Sequence, residues 1–170
     1  GHPSNAATGA GAVVSGGGSL GSNCTGNGFL PIYSCLNSAG GDYASVGGGR
    51  GNSAGAYGTV SGGDTNAAGT EAVVSGGTAN AARGTSSTVA GGRRNAAEQF
   101  AFVGGGYFNS ALGDGSVVGG GGTTGASFLG NTAGGAASVI AGGEGNSTNT
   151  DSTYASVLGG YRNKASGIAA

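Results

Sequence analysis

One asparagine-led phrase returns at a nearly constant short interval along this chain, and that period limits what the chain can fold into. The leading asparagines are Asn5, Asn37, Asn52, Asn66, Asn80, Asn95, Asn109, Asn131, Asn146 and Asn163, so the successive steps are 32, 15, 14, 14, 15, 14, 22, 15 and 17. The underlying step is 14 or 15, lengthened in places by insertions. Each full unit opens on Asn and a small pair, as in NSA or NAA, and closes on a β-branched residue, one further residue and glycine. The closing residues are Val14, Val46, Val60, Val74, Val89, Val103, Val118, Ile140 and Val157. Two positions earlier stands a small residue: Ala12, Ala44, Gly58, Ala72, Ser87, Ala101, Ser116, Ser138 and Ala155. Small-x-Val-x-Gly has a period of two, the mark of a strand with one buried face, and the glycines beyond it mark a tight corner. A unit this short holds two strands of about four or five residues and two turns, which is one coil of a parallel β-solenoid. The fifth residue after each asparagine is varied and mostly polar or aromatic (Asp42, Tyr57, Glu71, Thr85, Phe100, Asp114, Ala136, Asp151), and it reads as surface.

Composition excludes the main alternatives. Glycine supplies 44 of 170 residues, yet it does not recur every third position and only two prolines are present, which excludes collagen. Leu, Ile, Val and Phe together number 26, too few for a conventional globular core. Disorder of that composition usually carries high net charge, whereas here the formal charge is −1 with 8% charged residues. The same weak charge argues against nucleic-acid binding, and no apolar run reaches the length of a membrane helix, so no membrane contact is expected of this segment. No basic-then-apolar signal segment opens the chain, and residues 1–4, with the only histidine at His2, read as a cloning remnant. One large apolar residue per coil leaves a narrow interior. The small-residue faces are therefore expected to pack against further chains, as an oligomer.

The phrases NSAGAYGTVSGG, NAAGTEAVVSGG and NKASGIAA resemble the head repeats of YadA-like trimeric autotransporter adhesins of Gram-negative bacteria. The resemblance covers residues 5–170, apart from insertions at 19–36 and about 121–130. It implies a left-handed parallel β-roll, a homotrimer, and a place at the tip of an outer-membrane surface fibre. It also implies adhesion to host cells or to matrix proteins such as collagen, fibronectin or laminin, with a structural spacer or self-associating module as the other role. Both insertions should leave the roll as loops, since extra residues at a corner need not disturb stacking. Cys24 and Cys35, separated by ten residues, lie inside the first insertion, and the oxidising surface compartment favours a disulfide between them.

Little else suggests chemistry. GGSLG around Ser19 matches a nucleophile elbow but lacks the following helix and the partner histidine. Two cysteines and one remote histidine do not make a zinc site. Four aspartates outside any G-G-x-G-x-D frame do not make calcium repeats, and there are no ranks of T-x-T for an ice-binding face. No enzyme activity and no cofactor are expected. Basic residues cluster just after the glycine corners, at Arg50, Arg93, Arg94, Arg162 and Lys164, with Tyr107, Phe108 and Tyr161 near similar positions. Arg93, Arg94, Tyr107, Phe108, Tyr161 and Arg162 form the candidate ligand surface. Threefold symmetry would turn Arg93 and Arg94 into a ring of six guanidiniums.

Overall fold

The computed structural model describes residues 5–18, 35–123 and 129–170. Among them there is no helix. Nineteen two-residue strands alternate between two parallel sheets, a first sheet of ten and a second sheet of nine, so that each coil contributes one strand to each. The pairing never slips: Ala67, Ala81, Ala96 and Ser110 lie in register in the first sheet, and Val60, Val74, Val89 and Val103 in the second. The expected parallel β-solenoid is therefore present, although its strands are shorter than the pattern suggested. Two reversals must fit into each short coil, and the corners take up the difference.

The interior is as narrow as the composition requires. Val46, Val60, Val74, Val89, Val103, Val118 and Ile140 are buried in one file, with Ala39, Ala54, Ala82, Ala97, Ala111 and Ala133 opposite them from the first sheet. Val157 joins this file. Val14 is only partly buried, because it belongs to the first coil and has no described coil stacked before it. The small residues two positions before each Val are buried from Ala44 to Ala155, where the sheets close on the turn.

A second interior file is polar. Each asparagine from Asn37 to Asn163 donates its backbone N–H to the side-chain oxygen of the asparagine one coil earlier, at 2.8–3.0 Å. The same side chain donates its amide hydrogens to glycine carbonyls. Asn80, for example, reaches Gly76 O at 2.9 Å and Gly92 O at 2.8 Å. The carboxamide thus satisfies the Asn N–H of the next coil and the first carbonyl of the glycine pair, and adds a second donor to the other carbonyl, which also accepts a backbone N–H. Asp could not do so, because a carboxylate has no hydrogens to donate.

Both corners depend on left-handed backbone. After each second-sheet strand comes a glycine pair, and at the second glycine a Cβ would strike the next coil. At Gly77, with φ +88°, it would meet the carbonyl oxygen of Gly92 and the Asn80 amide. At the other corner the left-handed residue is mostly not glycine, Gly11 and Gly115 being the exceptions, and its N–H bonds back to the preceding coil: Tyr57 to Asp42 O, Glu71 to Ala56 O, and Phe100 to Thr85 O. It is fifth after the asparagine in the shorter units (Tyr57, Glu71, Phe100) and sixth in the longer ones (Tyr43, Ser86, Ala137). The variable residue is inserted at this corner. A fixed count from asparagine therefore reaches Asp42 and Thr85, one residue short of the left-handed position.

Both longer insertions follow a glycine corner in the sequence. Residues 19–34 and 124–128 lie outside the described residues, yet the coils on either side stack normally. Asn37 N–H reaches Asn5, and Asn131 N–H reaches Asn109. At the second insertion Thr123 N–H donates to Leu129 O at 3.2 Å, closing the neck of the loop.

Candidate functional site

The glycine corner aligns one outward residue per coil, two positions before each asparagine. In order these are Arg50, Asp64, Thr78, Arg93 and Tyr107, bridged in parallel from coil to coil, with Glu144 and Tyr161 bridged further along. The next residue in each coil is left-handed: Thr65, Ala79, Arg94, Phe108 and Arg162. A residue at one of these positions thus meets the side chain in the same position one coil away.

What it meets decides the electrostatics. Arg50 finds a carboxylate, donating Nε to Asp64 Oδ1 at 2.9 Å and Nη2 to Oδ2 at 2.6 Å. This contact raises the Arg50 pKa above its ordinary value, first through the hydrogen bonds and then through the charge of Asp64. Arg93, one coil before Tyr107 in the same column, finds a ring instead, 5.7 Å from guanidinium carbon to centroid. Arg94 lies 5.3 Å from the Phe108 centroid, and Arg162 lies 5.0 Å from that of its neighbour Tyr161. Among the described residues none of these three arginines makes an ion pair, whereas Arg83 lies 3.5 Å from Glu98.

All six residues assigned to a ligand surface therefore lie on one edge. Arg93, Arg94, Tyr107 and Phe108 form one patch, and Tyr161 with Arg162 forms another further along. One expectation needs correcting. Tyr107 is 7% exposed, so it offers no contact area; its ring supports Arg93 and meets Phe108 edge-on, with centroids 4.9 Å apart.

Charge divides between the two edges. The corner following the first sheet carries Asp42, Glu71, Glu98, Asp114 and Asp151 against Arg83 alone, a formal −4. The glycine corner carries Arg50, Arg93, Arg94 and Arg162 against Asp64 and Glu144, a formal +2. The acidic edge also displays exposed aromatics, with Tyr43 stacked on Tyr57 at 5.3 Å and Phe100 and Tyr154 further along. A fixed count from asparagine misses Tyr43 and Tyr154.

Two further surfaces lie on the sheet faces. A groove of about 620 Å³ crosses the outer face of the first sheet. Ala67, Ala81 and Ala96 form its floor, and Arg83, Arg94 and Phe108 stand among its walls. The outer face of the second sheet mixes hydroxyl residues (Ser45, Thr59, Thr88, Ser156) with apolar ones, of which Val13, Phe102 and Val139 are between 38% and 51% exposed. The sequence signal for that face is the first residue of each Val-Val or Phe-Val pair.

Cys35 is buried and is not a free thiol, but Cys24 lies outside the described residues, as does Ser19. The N-x-[ST] sequon at Asn146 belongs to the buried ladder, so its amide is inaccessible; the one at Asn23 lies outside the described residues. Among the described residues no cluster of His, Cys, Asp and Glu could hold a metal ion. Compared with known families and characterised proteins, the chain matches no family model and no characterised relative. The functional reading therefore rests on geometry.

Proposed function

We propose that this chain is the head of a bacterial surface adhesin, a non-enzymatic module that attaches a Gram-negative cell to host cells or to matrix proteins such as collagen, fibronectin or laminin. The observation that carries this reading is the set of guanidiniums without ion pairs, held over aromatic rings along one edge of a rigid solenoid. Such residues are over-represented in protein interfaces, where a preorganised side chain loses little entropy on contact. The shallow edge calls for multivalency. A homotrimer at the end of a surface fibre would present each patch in three copies, and many fibres would raise the effective concentration further. The contiguous apolar run Phe102, Val117 and Val139 on the outer face of the second sheet supports the oligomer, because exposed apolar patches often mark contact surfaces. The Cys24–Cys35 disulfide belongs to the same proposal, as a brace for the loop at residues 19–36.

The same apolar run favours a second reading, in which the head is a spacer or drives self-association between fibres. Light scattering after size exclusion and solid-phase binding separate these possibilities. The adhesive reading expects a mass near three times 15.5 kDa and retention on at least one matrix protein. A concentration-dependent series of larger species with no matrix binding would favour self-association. A monodisperse monomer would remove the trimer.

A further inference from the structure

We propose that the groove beside Arg94 takes a short acidic peptide segment in extended conformation, with a carboxylate on the Arg94 guanidinium and small apolar side chains on the alanine floor. This rests on the adhesive reading and names the class of partner it would hold.

One coil after Arg50 stands Asp64, whereas one coil after Arg94 stands Phe108 and one coil after Arg93 stands Tyr107. A ring orients a guanidinium without neutralising it, so its hydrogen-bonding edge stays available to a carboxylate. The chain has carboxylates that could have served here. Asp42, Glu71, Asp114 and Asp151 stand on the opposite edge, where Arg83 is the only cation. An arginine without an ion pair on the wall of a groove, Arg94, with a second, Arg93, next to it in the chain, points to an anion supplied by another molecule.

The groove then narrows the class. Ala67, Ala81 and Ala96 are in-register neighbours on successive coils, so their methyl groups recur every ~4.8 Å, and three coils accommodate about three or four extended residues at ~3.3 Å each. The floor suits small aliphatic side chains. It suits a hydroxyl-rich sugar poorly, because the Asn95 amide that borders it is fully engaged. Its Nδ2 donates to Gly91 O and Gly106 O, and its Oδ1 accepts from Asn109 N–H. A polyanion fits poorly too. Evenly spaced phosphates or sulfates would require cations on successive coils, but Thr78 and Ala79 precede the arginine pair and Tyr107 and Phe108 follow it. One carboxylate flanked by small residues is the match.

The test is a titration of the isotope-labelled full chain with Ac-Ala-Glu-Ala-Ala-NH2, read by NMR. The expected result is saturable shifts at the Arg94 Nε–H and the Ala81 and Ala96 methyl signals. The glutamine analogue should bind at least about tenfold more weakly, the worth of one charge-assisted contact. R94Q should lose the response while the amide signals of the asparagine ladder stay in place. No shift at these nuclei up to millimolar peptide, or equal binding of the glutamine analogue, would overturn the proposal. So would tighter occupancy by glucuronate or by phosphatidylserine vesicles, each of which would assign the groove to another class of partner. If the peptide binds but the chain adheres to no matrix protein, the groove stands and the adhesive reading falls. Matrix attachment unchanged in R94Q, with no peptide response in the parent chain, gives the reverse.

Discussion

The asparagine file and the arginine–aromatic column lie two positions apart on the same corner, with one left-handed residue between them, yet the two follow opposite rules. Inward, the same side chain recurs on every coil because each carboxamide completes the hydrogen bonding of its neighbour. Outward, the residue changes from Arg to Asp to Thr to Arg to Tyr, because only the backbone must match from coil to coil. In a solenoid the stacking constraint therefore ends at the turn, and the outward column can vary without cost to the fold.

Substitutions can break this contrast in graded steps. Asn80→Ala should be the most damaging, since it orphans the buried N–H of Asn95 and the carbonyl of Gly76 and removes one of the two bonds to Gly92 O, which keeps the Thr78 N–H. At about 1–3 kcal/mol for each group left unsatisfied, the loss should be several kcal/mol in urea unfolding. Val89→Ala removes two methylene equivalents from a fully buried position and should cost about 2–3 kcal/mol once the cavity is included, seen as a lower denaturation midpoint. Asn163→Ala repeats the first change at the exposed end of the ladder, where the side chain donates only to Gly159 O; a loss of about 1 kcal/mol or less is expected. A loss as large as that of Asn80→Ala would mean that burial is not what makes the ladder matter. Smallest of all, Arg50→Ala deletes an exposed ion pair and should leave the midpoint nearly unchanged.

Much of this was legible in the sequence. The period, the two strands per coil and the inward valines follow from residue spacing alone, because burial in a solenoid is strictly periodic. The role of asparagine was not legible. Its recurrence marks the unit, but the ladder requires knowing that Asn80 stacks directly on Asn66 and that a glycine corner leaves carbonyls pointing inward. Tyr43 escapes a fixed count because the shorter and longer units differ at the very corner where it sits. The arginines after the glycines stand out in the sequence, yet their pairing is hidden there. Whether an arginine meets Asp64 or Phe108 depends on a side chain one full coil away, which becomes a neighbour only when the coils stack.

We propose that the unpaired edge carries attachment while the interior carries the fold. The most direct measurement is retention of the double variant R93Q/R94Q on surfaces coated with collagen, fibronectin or laminin, scored beside the parent chain at equal thermal midpoint. An unchanged midpoint is predicted, with a loss of retention of about tenfold or more, the effect of removing charge-assisted contacts from a multivalent edge. Undiminished retention by the folded double variant would contradict the claim, and would move the adhesive surface to the acidic edge or to the loops.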